Sequence, residues 1–190
     1  MKLEDRTVLI TGGSRGLGAA MARRFASLGA KIAIAARASH SLEEVAASIR
    51  GVGGRAQAFT YDAVDPDGGH RLAGEVAVTF GPVDLLIHNA STLGPVPLVP
   101  MLETDASDFE RALRVNAIAP LRLTQAVAGS MALRGGGTIV AISSDAAHAA
   151  YPTWGAYGAS KAALELCMRT LAVELEGTGV RILIVDPGEM

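Results

Sequence analysis

The chain has 190 residues, 49% of them hydrophobic and only 4% aromatic, with a formal charge of −2. That length suits one domain spanning residues 1–190 with a core of Ala, Val, Ile and Leu, and the weak charge speaks against nucleic acid or an anionic membrane as partner. A lone cysteine (Cys167), a charged start (Lys2, Glu4, Asp5, Arg6) unlike a signal peptide, and no apolar run near the ~20 residues that cross a bilayer make the chain read as cytoplasmic.

Thr7 to Ile10 is the first predicted strand, and Leu17, Met21, Phe25 and Leu28 recur behind it at helical spacing until Gly29 ends the helix. Lys31 to Ala36 is the second strand, and a helix from Ser41 to Ile49 follows with Ser39 or Ser41 as its cap. Ala56 to Tyr61 is the third strand, Asp67 to Phe80 a weaker third helix and Val83 to Ile87 the fourth strand. A long helix over roughly Ser107 to Leu133 leads to the strand Thr138 to Ile142. The next helix runs from about Gly155 to Glu176, with Leu164, Cys167, Met168, Leu171 and Leu175 on an apolar face, and Val180 to Val185 is the sixth strand. Such alternation implies an α/β architecture, a parallel sheet covered by helices on both faces.

Thr11-Gly12-Gly13-Ser14-Arg15-Gly16-Leu17-Gly18 stands between the first strand and the first helix. Glycines there allow a tight turn and close backbone approach, and the helix N-terminus offers N–H groups to a pyrophosphate. An acidic residue at the end of the second strand would accept hydrogen bonds from ribose hydroxyls; here Ala36 holds that place and Arg37 follows. With Arg15 and Arg37 both near the ribose, the site is expected to favour a 2′-phosphate, hence NADP(H) over NAD(H). Asp62, after the third strand, is either a cap for the adenine amino group or a turn residue near Pro66. Asn89, in His88-Asn89-Ala90-Ser91, is read as mainly a tie between strands that also lines the cofactor.

Tyr157 and Lys161, four residues apart on a helix, project as neighbours. The ammonium is expected to favour phenolate and pull the tyrosine's pKa down, making it a usable acid–base group. Ser143-Ser144 lies upstream. Pro120 has no N–H for the Asn116 carbonyl, which leaves that carbonyl either free to hold a water or simply displaced by a kink. His148 is either a substrate contact or an ordinary loop residue, and four histidines form no metal cluster. Tyr151, Trp154 and Leu93 either wall an apolar substrate pocket or pack loops down. Cys167 is expected in the core.

In their order along the chain these motifs resemble the short-chain dehydrogenase/reductase family, from about Thr7 to Gly188. The resemblance implies a Rossmann-type doubly wound sheet of order 3-2-1-4-5-6. It implies a cofactor site of Gly12, Ser14, Arg15, Gly16, Leu17, Gly18, Arg37, Asp62, Asn89, Ala90, Tyr157, Lys161, Pro187 and Gly188, and a catalytic set of Asn116, Ser144, Tyr157 and Lys161. Ser144 is taken over Ser143 for its spacing of thirteen residues from Tyr157. By the same analogy Asn116 holds a water that connects Lys161 to solvent. The implied activity is reduction of a carbonyl, or oxidation of an alcohol, on a small-molecule substrate by a homodimer or homotetramer without bound metal. Two departures stand out. His88 and Ser91 replace the ends of the usual N-N-A-G motif, and the family normally continues well beyond Pro187-Gly188 with a threonine, a substrate-covering segment and a seventh strand. A nucleotide-binding module without turnover, or a fragment of such an enzyme, is therefore the alternative.

Overall fold

Strands that read as unbroken apolar runs end up with neighbours on both sides. The computed structural model describes residues 3–37 and 40–188, so the candidate cap Ser39 lies outside the described residues. Six strands, β1 (Thr7–Thr11), β2 (Lys31–Ala36), β3 (Arg55–Thr60), β4 (Leu85–His88), β5 (Gly137–Ile142) and β6 (Val180–Val185), form one parallel sheet in the order β3-β2-β1-β4-β5-β6. All of β1 and β4 is buried, whereas β3 and β6 at the two edges of the described sheet alternate between covered and exposed residues.

Among the described residues there are six α-helices, α1 (Gly16–Ala26), α2 (His40–Gly51), α3 (Gly68–Phe80), α4 (Ala106–Leu113), α5 (Ala119–Leu133) and α6 (Gly155–Glu174), of which α4 packs on α6 rather than on the sheet. The two-residue period of a strand sorts side chains between faces. Val8, Ile10, Ile32, Ile34, Leu85 and Ile87 pack with Leu42, Val45 and Ile49 of α2 and Ala19 and Ala22 of α1. Leu9, Ala33, Leu86, Ile139 and Ala141 meet Leu72, Leu123, Met131, Leu164 and Met168 from α3, α5 and α6. Each fully buried Leu or Ile contributes about 1.5–3 kcal/mol of transfer free energy, so these two layers supply the main folding drive.

The predicted helix 107–133 is three pieces, because a π-helical turn over Arg114–Ile118 separates α4 from α5. The Ala119 N–H reaches back five residues to the Arg114 carbonyl. Pro120, with no N–H and a ring that crowds the carbonyl of Asn116, is the physical reason the ladder widens here. The bulge sets Asn116 deep between α6 and the loop after β4, where it is 1% exposed. Cys167, expected in the core, is only half-buried.

The strand order reverses between β1 and β4, and the glycine turn, Asn89, Ser144, Pro187 and Gly188 lie at the carboxyl ends of β1, β4, β5 and β6, with Arg37 and Asp62 at those of β2 and β3. Crevices of this kind are where open α/β sheets place ligands.

Candidate functional site

The glycine turn is built from beneath by β2 and β4. The Gly12 N–H donates to the Ala35 carbonyl at 2.7 Å, and Gly12 and Gly16 take φ of +69° and +55°, which disfavour a side chain. Asn89 Nδ2 donates to the carbonyls of Thr11 and Gly12 at 3.0 and 3.1 Å, while the N–H groups of Asn89 and Ala90 donate to Thr11 Oγ1 at 3.1 Å each. Asn89 is thus the strand tie that its position suggested. A Cβ on Gly18 would fall on the Gly12 carbonyl oxygen and 2.6 Å from Asn89 Nδ2; one on Gly16 would meet nothing within 4 Å. The turn is therefore packed shut below and open at Gly16, where α1 begins. Arg15, the residue before α1, makes no side-chain cap, and the first turn holds no acidic residue. Free N–H groups on an open helix start fit a pyrophosphate.

Arg15 and Arg37 are both exposed, and neither side chain has an ion-pair or hydrogen-bond partner among the described residues. Ser14 and Leu17 are half-buried, Leu17 against the core beneath α1. Asp62 is exposed and accepts the Val64 N–H at 3.1 Å, a turn bond that uses one carboxylate oxygen. Pro187 and Gly188 follow β6, where Gly188 has φ +74° and donates its N–H to Asp186 Oδ1 at 3.0 Å.

Ser144, Tyr157, Lys161 and Asn116 are brought together where β5 ends and α6 begins. Lys161 is 3% exposed, and its Nζ donates to the Ile142 carbonyl at 2.8 Å while lying 5.5 Å from the centre of the Tyr157 ring. Burial lowers its pKa to about 8. The expected depression of the tyrosine is overturned: burial pushes the Tyr157 phenol above its usual value, hydrogen bonding with Ser144 and Ser91 opposes the rise, and Asp186 and Asp145 add to it. At neutral pH the phenol therefore holds its proton. Trp154 packs edge-on against the Tyr157 ring with centroids 5.6 Å apart. Just before it Thr153 takes φ +70°, a strained value for a β-branched residue.

The Asn116 side chain is saturated. Its Oδ1 accepts from Ser91 Oγ at 3.2 Å and the Thr92 N–H at 2.8 Å, and its Nδ2 donates to the Thr92 carbonyl and Ser160 Oγ, both at 2.8 Å. With all four of its positions taken, the amide braces the loop after β4 against α6, so the part of Asn116 left for a relay water is the backbone carbonyl beside Pro120. Ser160 Oγ in turn donates to the Tyr157 carbonyl at 2.6 Å.

Thr92, Ser160, Asp145 and Glu165 carry no signal in the sequence, and Ser91 shows there only as a departure from the N-N-A-G motif. Their neighbours in space are 24 to 44 residues away for Asn116 and its partners, and no local pattern marks such contacts. Asp145 accepts from Ser144 Oγ at 3.0 Å and from the Tyr151 hydroxyl at 2.6 Å, bonds which with Tyr151 foremost hold its carboxyl below the usual range. Tyr151 and Trp154 line a cavity of about 310 Å³ between this loop and the small residues Gly155, Gly158 and Ala159 of α6; Leu93 does not line it. Neither Ser144 nor Tyr157 faces that cavity, so it flanks the acid–base group rather than enclosing it. Among the described residues no His, Cys, Asp or Glu group is arranged to hold a metal, and no helix is long and apolar enough to cross a membrane.

His88 is 3% exposed, with Nε2 2.8 Å from Thr124 Oγ1. Burial first, and the charge of Lys161 second, lower its pKa from 6.5 to about 3. Because the unfolded chain binds a proton that the folded one refuses, stability is full above pH 6.5 and declines as pH falls toward 3. At about 1.36 kcal/mol per unit, the loss reaches about 2 kcal/mol near pH 5. His88→Asn, which keeps a polar partner for Thr124, is expected to flatten the acid limb in urea melts; an unchanged limb would assign it to other groups.

The chain matches the family model for short chain dehydrogenases over residues 6–190. It is 36% identical over 189 residues to a short chain dehydrogenase of Pseudocercospora fijiensis, an alignment that covers all of this chain and 61% of that protein. The chain thus spans less than two thirds of that relative's length. Among solved structures it is similar to a metagenomic short-chain oxidoreductase in complex with NADP, at TM-score 0.92 and 33% identity, covering 100% of this chain and 85% of that one. It is also similar to a 7α-hydroxysteroid dehydrogenase complexed with NADH and 7-oxo glycochenodeoxycholic acid, at TM-score 0.92 and 31% identity, covering 98% of this chain and 72% of that one.

Proposed function

The chain belongs to the short chain dehydrogenase family, and we propose that it moves hydride between NADP(H) and a small carbonyl or alcohol substrate. The observation that carries this reading is the convergence of Tyr157, Lys161 and Ser144 at the end of β5. When bound at the glycine turn, the nicotinamide nucleotide supplies or accepts the hydride. Tyr157, kept protonated by burial, hands its phenolic proton to the carbonyl oxygen. Ser144 hydrogen-bonds that oxygen as negative charge gathers on it. Lys161 places a positive charge beside the ring and pins the end of β5 through Ile142. Asn116 acts at one remove, by holding Ser160 and the loop after β4.

The preference for NADP(H) rests on this chain's own residues, since one solved neighbour carries NADP and another NADH. Ala36 offers no carboxylate to a ribose 2′-hydroxyl, and the side chains of Arg15 and Arg37 have no competing partner among the described residues. Charge-assisted bonds to a 2′-phosphate are worth about 1.5–3 kcal/mol each. Fluorescence titration is therefore expected to show NADPH bound at least about tenfold more tightly than NADH, with Arg15→Ala/Arg37→Ala erasing the difference and leaving NADH affinity in place. Equal affinities in the parent chain would sink the preference, and binding of neither nucleotide would sink the oxidoreductase reading.

A further inference from the structure

Glu165 is a carboxylate for which the proposed chemistry has no use, yet it is only 4% exposed and lies one helical turn beyond Lys161. Ser143 Oγ donates to its Oε1 at 2.6 Å; Arg169 and His148 Nε2 reach its Oε2 at 2.6 and 3.1 Å. A buried carboxylate needs such partners to replace lost water, and here they come from three parts of the site. Ser143 immediately precedes Ser144, and its N–H donates to the Val185 carbonyl of β6 at 2.8 Å. The residue before it, Ile142, gives its carbonyl to Lys161. The end of β5 is thus fastened to α6 by Lys161 and Glu165 on successive turns. His148 belongs to the loop that walls the flanking cavity.

We propose that Glu165 is a positioning residue: through Ser143 it fixes where the Ser144 hydroxyl meets Tyr157, and through His148 it ties the pocket loop to the same helix. The catalytic meaning of this role rests on the oxidoreductase reading; the role itself rests on the hydrogen bonds. Glu165→Ala frees the Ser143 hydroxyl and lets the end of β5 drift from Tyr157. Glu165→Gln keeps an acceptor for Ser143 while removing the charge that holds Arg169 and His148.

The test is carbon-13 NMR of protein labelled at tyrosine Cζ, with the Tyr157 line assigned by its loss in Tyr157→Phe. Glu165→Ala and Ser143→Ala are each expected to shift that line, and the double variant to shift it no further than either alone, as for two residues acting through one bond. Glu165→Gln should restore it, and His148→Ala should leave it in place. Ser143→Ala deletes one oxygen atom and so carries the test even where Glu165→Ala does not fold. An unmoved Tyr157 line in the folded variants, or a Gln variant as displaced as the Ala variant, overturns the proposal. With NADPH and a panel of uncharged ketones, kcat should fall about ten- to a hundredfold in Ser143→Ala and in Glu165→Ala and stay near the parent value in Glu165→Gln. A parent chain that binds no nucleotide and reduces no ketone would instead overturn the oxidoreductase reading, and the NMR result would stand apart from it.

Discussion

Tyr157→Phe is expected to lower kcat for NADPH-dependent carbonyl reduction by about a thousandfold, within the 10²–10⁴ that a positioned general acid supplies. The substitution removes one oxygen and keeps the ring, so the edge contact with Trp154 at 5.6 Å and the Lys161 ammonium at 5.5 Å persist. Folding and nucleotide binding should survive, which separates lost chemistry from lost structure. The measurement is NADPH consumption with uncharged aldehydes and ketones, alongside a nucleotide titration of the same variant. A variant that turns over within a few-fold of the parent would remove Tyr157 as the acid. A variant that also loses nucleotide affinity would mean that the phenol's role is structural.

Gly18→Ala should be the most damaging single methyl group in the glycine turn. Its Cβ would collide with the Gly12 carbonyl oxygen and stand 2.6 Å from Asn89 Nδ2, both of which belong to the network holding β1 to β4. The nearer obstacle is backbone and the other is a side-chain amide held by two carbonyls, so backbone must move. Overpacking of this kind costs about 1–3 kcal/mol, and here the displaced atoms form the floor of the nucleotide turn. Thermal melting and NADPH titration are both expected to report large losses. Gly16→Ala is the control: its Cβ meets nothing, so only the strain of φ +55° remains, about 1 kcal/mol. An unperturbed Gly18→Ala, or a Gly16→Ala equally unstable, would contradict this account of the turn.

The sheet order follows from the family resemblance, whereas the strand–helix alternation, the glycine turn and the Tyr157–Lys161 pair are legible in the residues themselves. Each of these three depends on short-range signals: runs of β-branched residues, glycines at the strand-to-helix junction, and a four-residue spacing that any helix converts into adjacency. The edges of elements were read to within one or two residues, as with β4, which runs Leu85–His88 rather than from Val83. Where the reading failed, the missing information was the surroundings. Asn116 is legible through the family resemblance and through Pro120 four residues on, but not as a saturated brace, because its partners Ser91, Thr92 and Ser160 come from two other segments. Asp62 makes the turn bond to the Val64 N–H that its place near Pro66 suggests, and its role toward an adenine stays a proposal.

The sequence alone therefore determined the strand and helix alternation, the glycine turn between β1 and α1, and the adjacency of Tyr157 and Lys161 on α6, since these follow from covalent spacing and backbone preference. Tertiary structure decided their electrostatics. Tyr157 is raised and Lys161 lowered to about 8 because both are buried, an effect the sequence spacing alone does not specify. Charge on a side chain is stabilised by whatever replaces its water, and that replacement is assembled from distant parts of the chain only when it folds.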